Sequence, residues 1–429
     1  MTSRRAFLGS SGLAFLGLQL YARAEASSRL IEPFGPLVTD PKGILDLPEG
    51  FSCRVLATRG ETMGDGFKVP GQPDGMAAFP GPDGKVVLVS NHELPIGDNI
   101  PGPYPDNLKL PGHVDASLLY NAGEAGRIPS LGGTTNLVFD PVTGSKVDHF
   151  LSLAGTDRNC AGGAIGNTWI TCEEPEDMLT KRGVLHGWCF QVQATANRGL
   201  QKAVPLKALG RFRHEAVALD PKTGILYLTE GKHQALMVAN RPSVHLRNVR
   251  AASMWPVPGE EMLVTWIDLE GIDSPKDDLR VRGHEAGAAA FARSEGIHLA
   301  DGAFYTCCTN GGPNKRGQIF RLTPSGAEDK PDKLMLFLQP EASDLLTNGD
   351  NLCPAPWGGI VICEDLVADP KPAAHVRCVT PEGKIITLAR NPSEGEFAGC
   401  CFSPDGKWFF VNMQTRGMTL AVTGPWEKA

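Results

Sequence analysis

Apolar residues in this chain come in short runs, alternating or continuous, and the runs are bounded by turn signals such as PDG, PVTG, PKTG and ADG. Helical spacing is scarce, and helix-compatible stretches such as 115–126 are few and short. The pattern predicts an all-β protein. The runs also repeat as a unit of turn, strand and polar end. The unit recurs in GPDGKVVLVSNHE (ending at Glu93), AIGNTWITCEE (Glu174), DPKTGILYLTE (Glu230), LADGAFYTCCTN (Asn310), APWGGIVICED (Asp365) and SPDGKWFFVNMQ (Gln414). Six units with uneven gaps predict a six-bladed β-propeller with inserted loops and few short helices. If these are the innermost strands, their polar ends converge on one axis. Glu93, Glu173, Glu174, Glu230, Glu364 and Asp365 then meet without being close in sequence.

The N-terminus breaks this pattern. Arg4 and Arg5 precede a weakly apolar run to Leu20, followed by the small-x-small site Ala22-Arg23-Ala24. The run is too short and too rich in glycine to span a membrane, and reads as a twin-arginine export signal over 1–24. An extension over 25–46 and a single propeller domain over 47–429 are expected to follow. That signal implies the twin-arginine export machinery as a partner, a periplasmic or secreted destination, and export in the folded state. No later run approaches the length of a membrane span. A net charge of −7 argues against nucleic acid as the main partner.

Folding before export changes how the cysteines are read. There are 11, an odd number with no disulfide-framework spacing, and most sit in apolar strand-like runs as buried free thiols would. Cys160 differs, because it lies in the glycine-rich corner RNCAGG.

Carboxylates gathered in a channel repel one another unless protonated or bridged by cations, and hard cations such as Ca2+ prefer such oxygen ligands. A thiolate beside carboxylates points to a transition metal such as iron, or to a nucleophile with a histidine as its base. His214-Glu215 opens a strand in RFRHEA, where one side chain faces the channel and the other faces away. Arg293 and Glu295, two apart in FARSEGI, share a strand face as an ion pair or as an anion-binding guanidinium beside a cation ligand. The chain has no GxSxG elbow, HExxH motif or glycine-rich phosphate loop.

The segments NCAGGAIGNTWITCEE, RFRHEA with YLTEG, ARSEG, DNLCPAPWGGIVICED and FAGCCFSPDGKWFFVNMQTRGMTLAVTGPW resemble the PhoX-type alkaline phosphatases, from about residue 47 to the C-terminus. The resemblance implies a six-bladed propeller with an axial cluster of Fe3+ and Ca2+ ions. It implies hydrolysis of small phosphate monoesters with no side-chain nucleophile. By motif, Cys160 becomes an iron ligand. Glu93, Glu173, Glu174, Glu215, Glu230, Glu295 and Glu364 become metal ligands, and Arg293 binds the phosphate oxygens. The alternatives are a calcium-dependent lactonase-type hydrolase, which needs no cysteine ligand, and a non-catalytic propeller that metals only stabilise.

Overall fold

The computed structural model describes residues 29–97, 99–107, 109–123, 128–175, 183–232, 237–239, 244–248, 256–327, 330–341, 345–365 and 373–429. The expected export signal over 1–24 lies outside them. Strands dominate, with an α-helix at Leu279–Glu285 and short 3-10 turns. The described part of the stretch around 115–126 holds one such turn, Ala116–Leu118, capped by the Asp115 side chain. No helix among the described residues is long and apolar enough to cross a membrane.

The sheets are arranged as a β-propeller. Six strands pack side by side in a closed ring: Pro73–Pro80, Asn159–Ile165, His214–Leu219, Ser294–Ala300, Gly349–Pro354 and Phe397–Phe402. Each begins a run of antiparallel strands leading outward. The run from Phe397–Phe402 ends on Ser52–Thr58, so a strand from early in the chain completes the last sheet and closes the circle. Hydrogen bonding divides the described ring into five sheets rather than six. Glu261–Asp268 pairs with both Val244–Asn248 and Asp332–Leu338, which fuses the runs from His214–Leu219 and Ser294–Ala300 into one nine-stranded sheet.

The strands expected to be innermost are not. Val86–His92, Thr168–Glu173, Leu226–Glu230, Ala303–Cys308, Ile360–Glu364 and Phe409–Met413 each stand second from the axis, beside the ring strand that precedes them in sequence. Both positions are buried on two faces, so their apolar runs look alike. Part of the expected extension is also stitched in. Leu30–Ile31 adds a parallel strand to the sheet edge at Ile385–Ile386, and Leu37–Val38 pairs with Leu47–Pro48.

Close approach at the axis requires small residues. A Cβ on Gly75 would lie 2.6 Å from Ala161 Cα of the next ring strand, and one on Gly296 would lie 2.6 Å from the Asp350 carbonyl oxygen. Further out, large apolar side chains fill the wedges between sheets. Phe139 of the first sheet meets Trp408 and Phe410 of the last edge to face, at 5.0 and 5.1 Å between centroids. Each such fully buried ring contributes roughly 1.5–3 kcal/mol.

Candidate metal centre

One local device recurs around the ring. All six ring strands place two residues opposite a single residue of their neighbour near the same end. The bulges are 74–75 opposite Asn91, 160–161 opposite Cys172, 215–216 opposite Thr229, 295–296 opposite Cys307, 350–351 opposite Cys363, and 398–399 opposite Asn412. A bulge bends the strand and re-aims its side chains. In the first five strands its first residue is Asp74, Cys160, Glu215, Glu295 or Asp350, and all five line the axial mouth, joined by Glu396 just ahead of the sixth ring strand. In four strands the residue two positions earlier adopts left-handed backbone: Gln72 at φ 46°, Arg158 at 50°, Arg293 at 53° and Asn348 at 50°. That conformation is costly for a residue with a side chain, and its recurrence marks a turn that delivers the chain to the axis.

The mouth is a cleft of about 710 Å³. Within it, ligand atoms of Cys160, Glu174 and Glu215 lie within 4.8 Å of one another, as do those of Glu215, Glu295 and Asp350. Glu215 belongs to both groups, so the two form one continuous cluster. Cys160 is 3% exposed, and its Sγ lies 3.2 Å from the His214 carbonyl oxygen and 3.8 Å from that of Glu215. Burial, followed by the charges of Glu215 and Glu174, pushes this thiol well above its ordinary range. Burial and neighbouring carboxylates likewise raise Asp74, Glu215 and Asp350 far above theirs. Glu174 is pushed up to about 8 by burial, against the opposing pull of Arg213, and Glu396 to about 10 by burial and Asp365. With protein groups alone these shifted groups favour their protonated forms, and a set of cations would oppose each shift. The donor set of one thiolate and several carboxylates fits a softer transition metal together with hard cations.

Cations from the same elements surround the acids. Arg158 pairs with Glu93 and lies 3.8 Å from Glu174, to which Arg213 also pairs. Arg293 is held by Glu295 Oε1 at 2.8 Å and Asp365 Oδ2 at 3.0 Å. Burial opposes its charge, but those two carboxylates keep it firmly protonated.

Of the residues expected at the site, Cys160, Glu93, Glu174, Glu215, Glu295 and Arg293 line the mouth. Glu173, Glu230 and Glu364 do not, because they end the second strands one residue too early and their side chains turn into the sheets. Glu173 accepts from the Asp157, Gly187 and Trp188 amides and contacts His186 Nδ1 at 2.7 Å. Glu364 accepts from the Thr347 and His375 amides at 3.0 and 2.8 Å. Glu230 has its carboxylate 3.6 Å from Arg280 and leaves the mouth position to Gly231. His214 turns away from the axis, stacked on Phe212 at 3.6 Å and bonded to the Gly210 carbonyl, and burial lowers it to about 4. Asp74, Asp350 and Glu396 are the ring acids that the strand-end pattern missed.

The residue opposite the bulge also links neighbouring sheets. Asn412 donates to the Asp74 carbonyl at 2.6 Å, and Asn91 donates to the Cys160 carbonyl at 2.9 Å. Thr229 donates to the Glu295 carbonyl and accepts from the Ala216 amide. Each of these three side chains holds the backbone of a mouth residue on the next ring strand.

Fold and site together define a β-propeller with a thiol and a carboxylate cluster gathered at one end of its axis. The sequence matches the alkaline phosphatase PhoX family over residues 32–118 and 131–417, and the chain belongs to that family. A comparison with curated proteins finds no match. Among solved structures, PhoX of Pseudomonas fluorescens in complex with vanadate, a transition state analogue, superposes with a TM-score of 0.66 at 18% identity, covering 92% of this chain and 98% of that one. Two gluconolactonases are more distant. XC5397 of Xanthomonas campestris gives a TM-score of 0.39 at 12% identity, covering 91% of this chain and 98% of its own. The periplasmic PpgL of Pseudomonas aeruginosa gives 0.42 at 13%, covering 88% and 93%.

Proposed function

We propose that this protein is an exported phosphatase that hydrolyses phosphate monoesters at an axial centre of Fe3+ and Ca2+. The observation that carries the reading is the pair of ligand groups sharing Glu215, with Cys160 in one and Arg293 beside the other. Cys160, Glu174 and Glu215 would hold iron, since only that group includes sulfur. Glu215, Glu295 and Asp350, with the nearby Asp74, Glu93, Asp365 and Glu396, offer the all-oxygen surroundings that Ca2+ takes. When bound, such ions act as Lewis acids toward a phosphoryl group and offset its charge.

The chain's own side chains supply the rest. The Arg293 guanidinium is oriented by Glu295 and Asp365, and its planar fork suits two phosphoryl oxygens. Fixed in this way, it meets charge that develops on those oxygens without reorganising. Arg158 and Arg213 extend the positive edge of the mouth toward Glu174. Membership of the PhoX family supports the phosphatase reading. We read the nine-stranded sheet as two blades fused at their outer edges, which makes six blades around the ring. Export by the twin-arginine route rests on the Arg4-Arg5 signal, and delivers the folded protein with its metals installed to the periplasm or beyond.

The test is metal analysis of protein purified after export by its own signal, with turnover measured on a panel of phosphate monoesters. Iron and calcium are both expected, with turnover lost on chelation. Absence of iron contradicts the assignment of Cys160. Retained metals with no turnover on any ester would instead mark a propeller in which metals serve only to hold the fold.

A further inference from the structure

The mouth is unusually free of apolar surface. Apart from Gly231 and Cys160, every described residue lining it carries a charged or amide side chain, and none is aliphatic or aromatic. Small-molecule pockets normally hold the body of a ligand on hydrophobic and aromatic walls. This one has no such wall among the described residues, so the part of a substrate beyond the reacting phosphoryl group must be recognised by charge.

The charges are also unevenly placed. Among the described residues, the five cations of the mouth, Arg158, Arg213, Lys232, Arg280 and Arg293, come from the sector built on the ring strands Asn159–Ile165, His214–Leu219 and Ser294–Ala300. The described residues of the opposite sector supply Asp74, Glu93, Asp350, Asp365 and Glu396 and no cation. Within the basic sector, Arg158, Arg213 and Arg293 lean on acids of the mouth itself. Lys232 and Arg280 do not. They share Asp277, which lies outside the ring and is not a mouth residue, and Arg280 also approaches the buried Glu230 at 3.6 Å. Asp277 engages one nitrogen of each, which leaves donors on both side chains for a ligand. Gly231 keeps the space between them and the cluster open, because a Cβ there would lie 2.4 Å from Glu174 Oε1.

We infer that Lys232 and Arg280 form a second anion subsite beside the reacting centre, selecting small hydrophilic phosphomonoesters that carry another negatively charged group. This rests on the phosphatase reading. A substrate would place its scissile phosphoryl group at the cluster beside Arg293, and a carboxylate or second phosphate would reach Lys232 and Arg280. Substrates with aromatic or lipid bodies gain nothing there.

The experiment compares glycerol 3-phosphate with 3-phosphoglycerate, which differ at the end distal to the phosphate by an alcohol against a carboxylate. The metal-loaded wild type and the Lys232→Ala and Arg280→Ala variants are assayed on both, and the ratio of the two kcat/KM values is read. The wild type is expected to favour 3-phosphoglycerate, and each variant to lower the ratio by about tenfold, the effect of one charge-assisted contact. A ratio that stays constant while both activities fall together is a structural effect and overturns the subsite, as does a wild type with no preference. If the wild type turns over neither ester, the phosphatase reading fails separately. Calorimetric binding of the same two compounds then decides the subsite: tighter binding of 3-phosphoglycerate that the variants lose supports it, and equal affinity overturns it.

Discussion

At the scale of single residues, Cys160 is the most specific feature of the chain. A thiol buried at 3% exposure among carboxylates is held in its neutral form by its surroundings, so it becomes a thiolate only with a metal ion against it. On the proposed assignment, Cys160→Ser is expected to leave the far-ultraviolet circular dichroism of the protein unchanged and to abolish iron binding along with any thiolate-to-iron absorption band. Full retention of both would show that the sulfur is not a ligand. The other buried cysteines have a different role. Cys172, Cys307 and Cys363 each stand opposite a bulge, as small apolar residues at the position where other strands place Asn91 or Thr229. Cys172 is thus an ordinary buried strand residue, as its apolar run suggests.

At the scale of the element, the working unit is a ring strand with its bulge, tied to the sheet beside it. Thr229 shows how the tie works, since its hydroxyl serves the Glu295 carbonyl on one strand and the Ala216 amide on another. Thr229→Val keeps the shape and removes both bonds, leaving two buried backbone groups without a partner. The expected cost is about 2 kcal/mol or more of stability, with a shifted iron absorption spectrum as the ligand backbone relaxes. Thr229→Ser is expected to restore both. A valine variant with wild-type spectrum and thermal midpoint would show that the tie does not position the ligand. Once the bulges are located, five of the units share a four-residue pattern, QPDG, RNCA, RHEA, RSEG and NGDN, a polar residue two before an acid or cysteine and a small or amide residue after it. Strand ends drew attention first, because their acids come in adjacent pairs such as Glu173-Glu174 and Glu364-Asp365. Successive strand residues point to opposite faces. One member of each pair therefore faces the mouth, and Glu173 and Glu364 fasten the sheets.

At the scale of the molecule, the acid cluster couples metal binding to stability. A carboxyl whose folded value lies above its unfolded value holds its proton more tightly when folded, so stability falls as pH rises between the two. For Glu174 that window runs from the ordinary 4.5 up to about 8, and for Glu396 from 4.5 up to about 10. The metal-free protein is thus expected to melt at progressively lower temperature as pH is raised through about 5 to 9, with Ca2+ restoring the midpoint most strongly at the alkaline end. Thermal melts of chelated and calcium-loaded protein across that range check this. A midpoint independent of pH in the chelated protein would contradict it.

The sequence by itself determined the all-β class and the repeated sheet unit, because turn signals and apolar runs are local patterns. It singled out Cys160, Glu93, Glu174, Glu215, Glu295 and Arg293, which line one mouth. Only the tertiary structure decided which strand of each unit lines the axis, that Asp74, Asp350 and Glu396 belong to the cluster, and that Lys232 and Arg280 reach its mouth. The reason is physical: strand order within a sheet and the face shown after a bulge depend on pairing between distant segments, and no local pattern records that pairing.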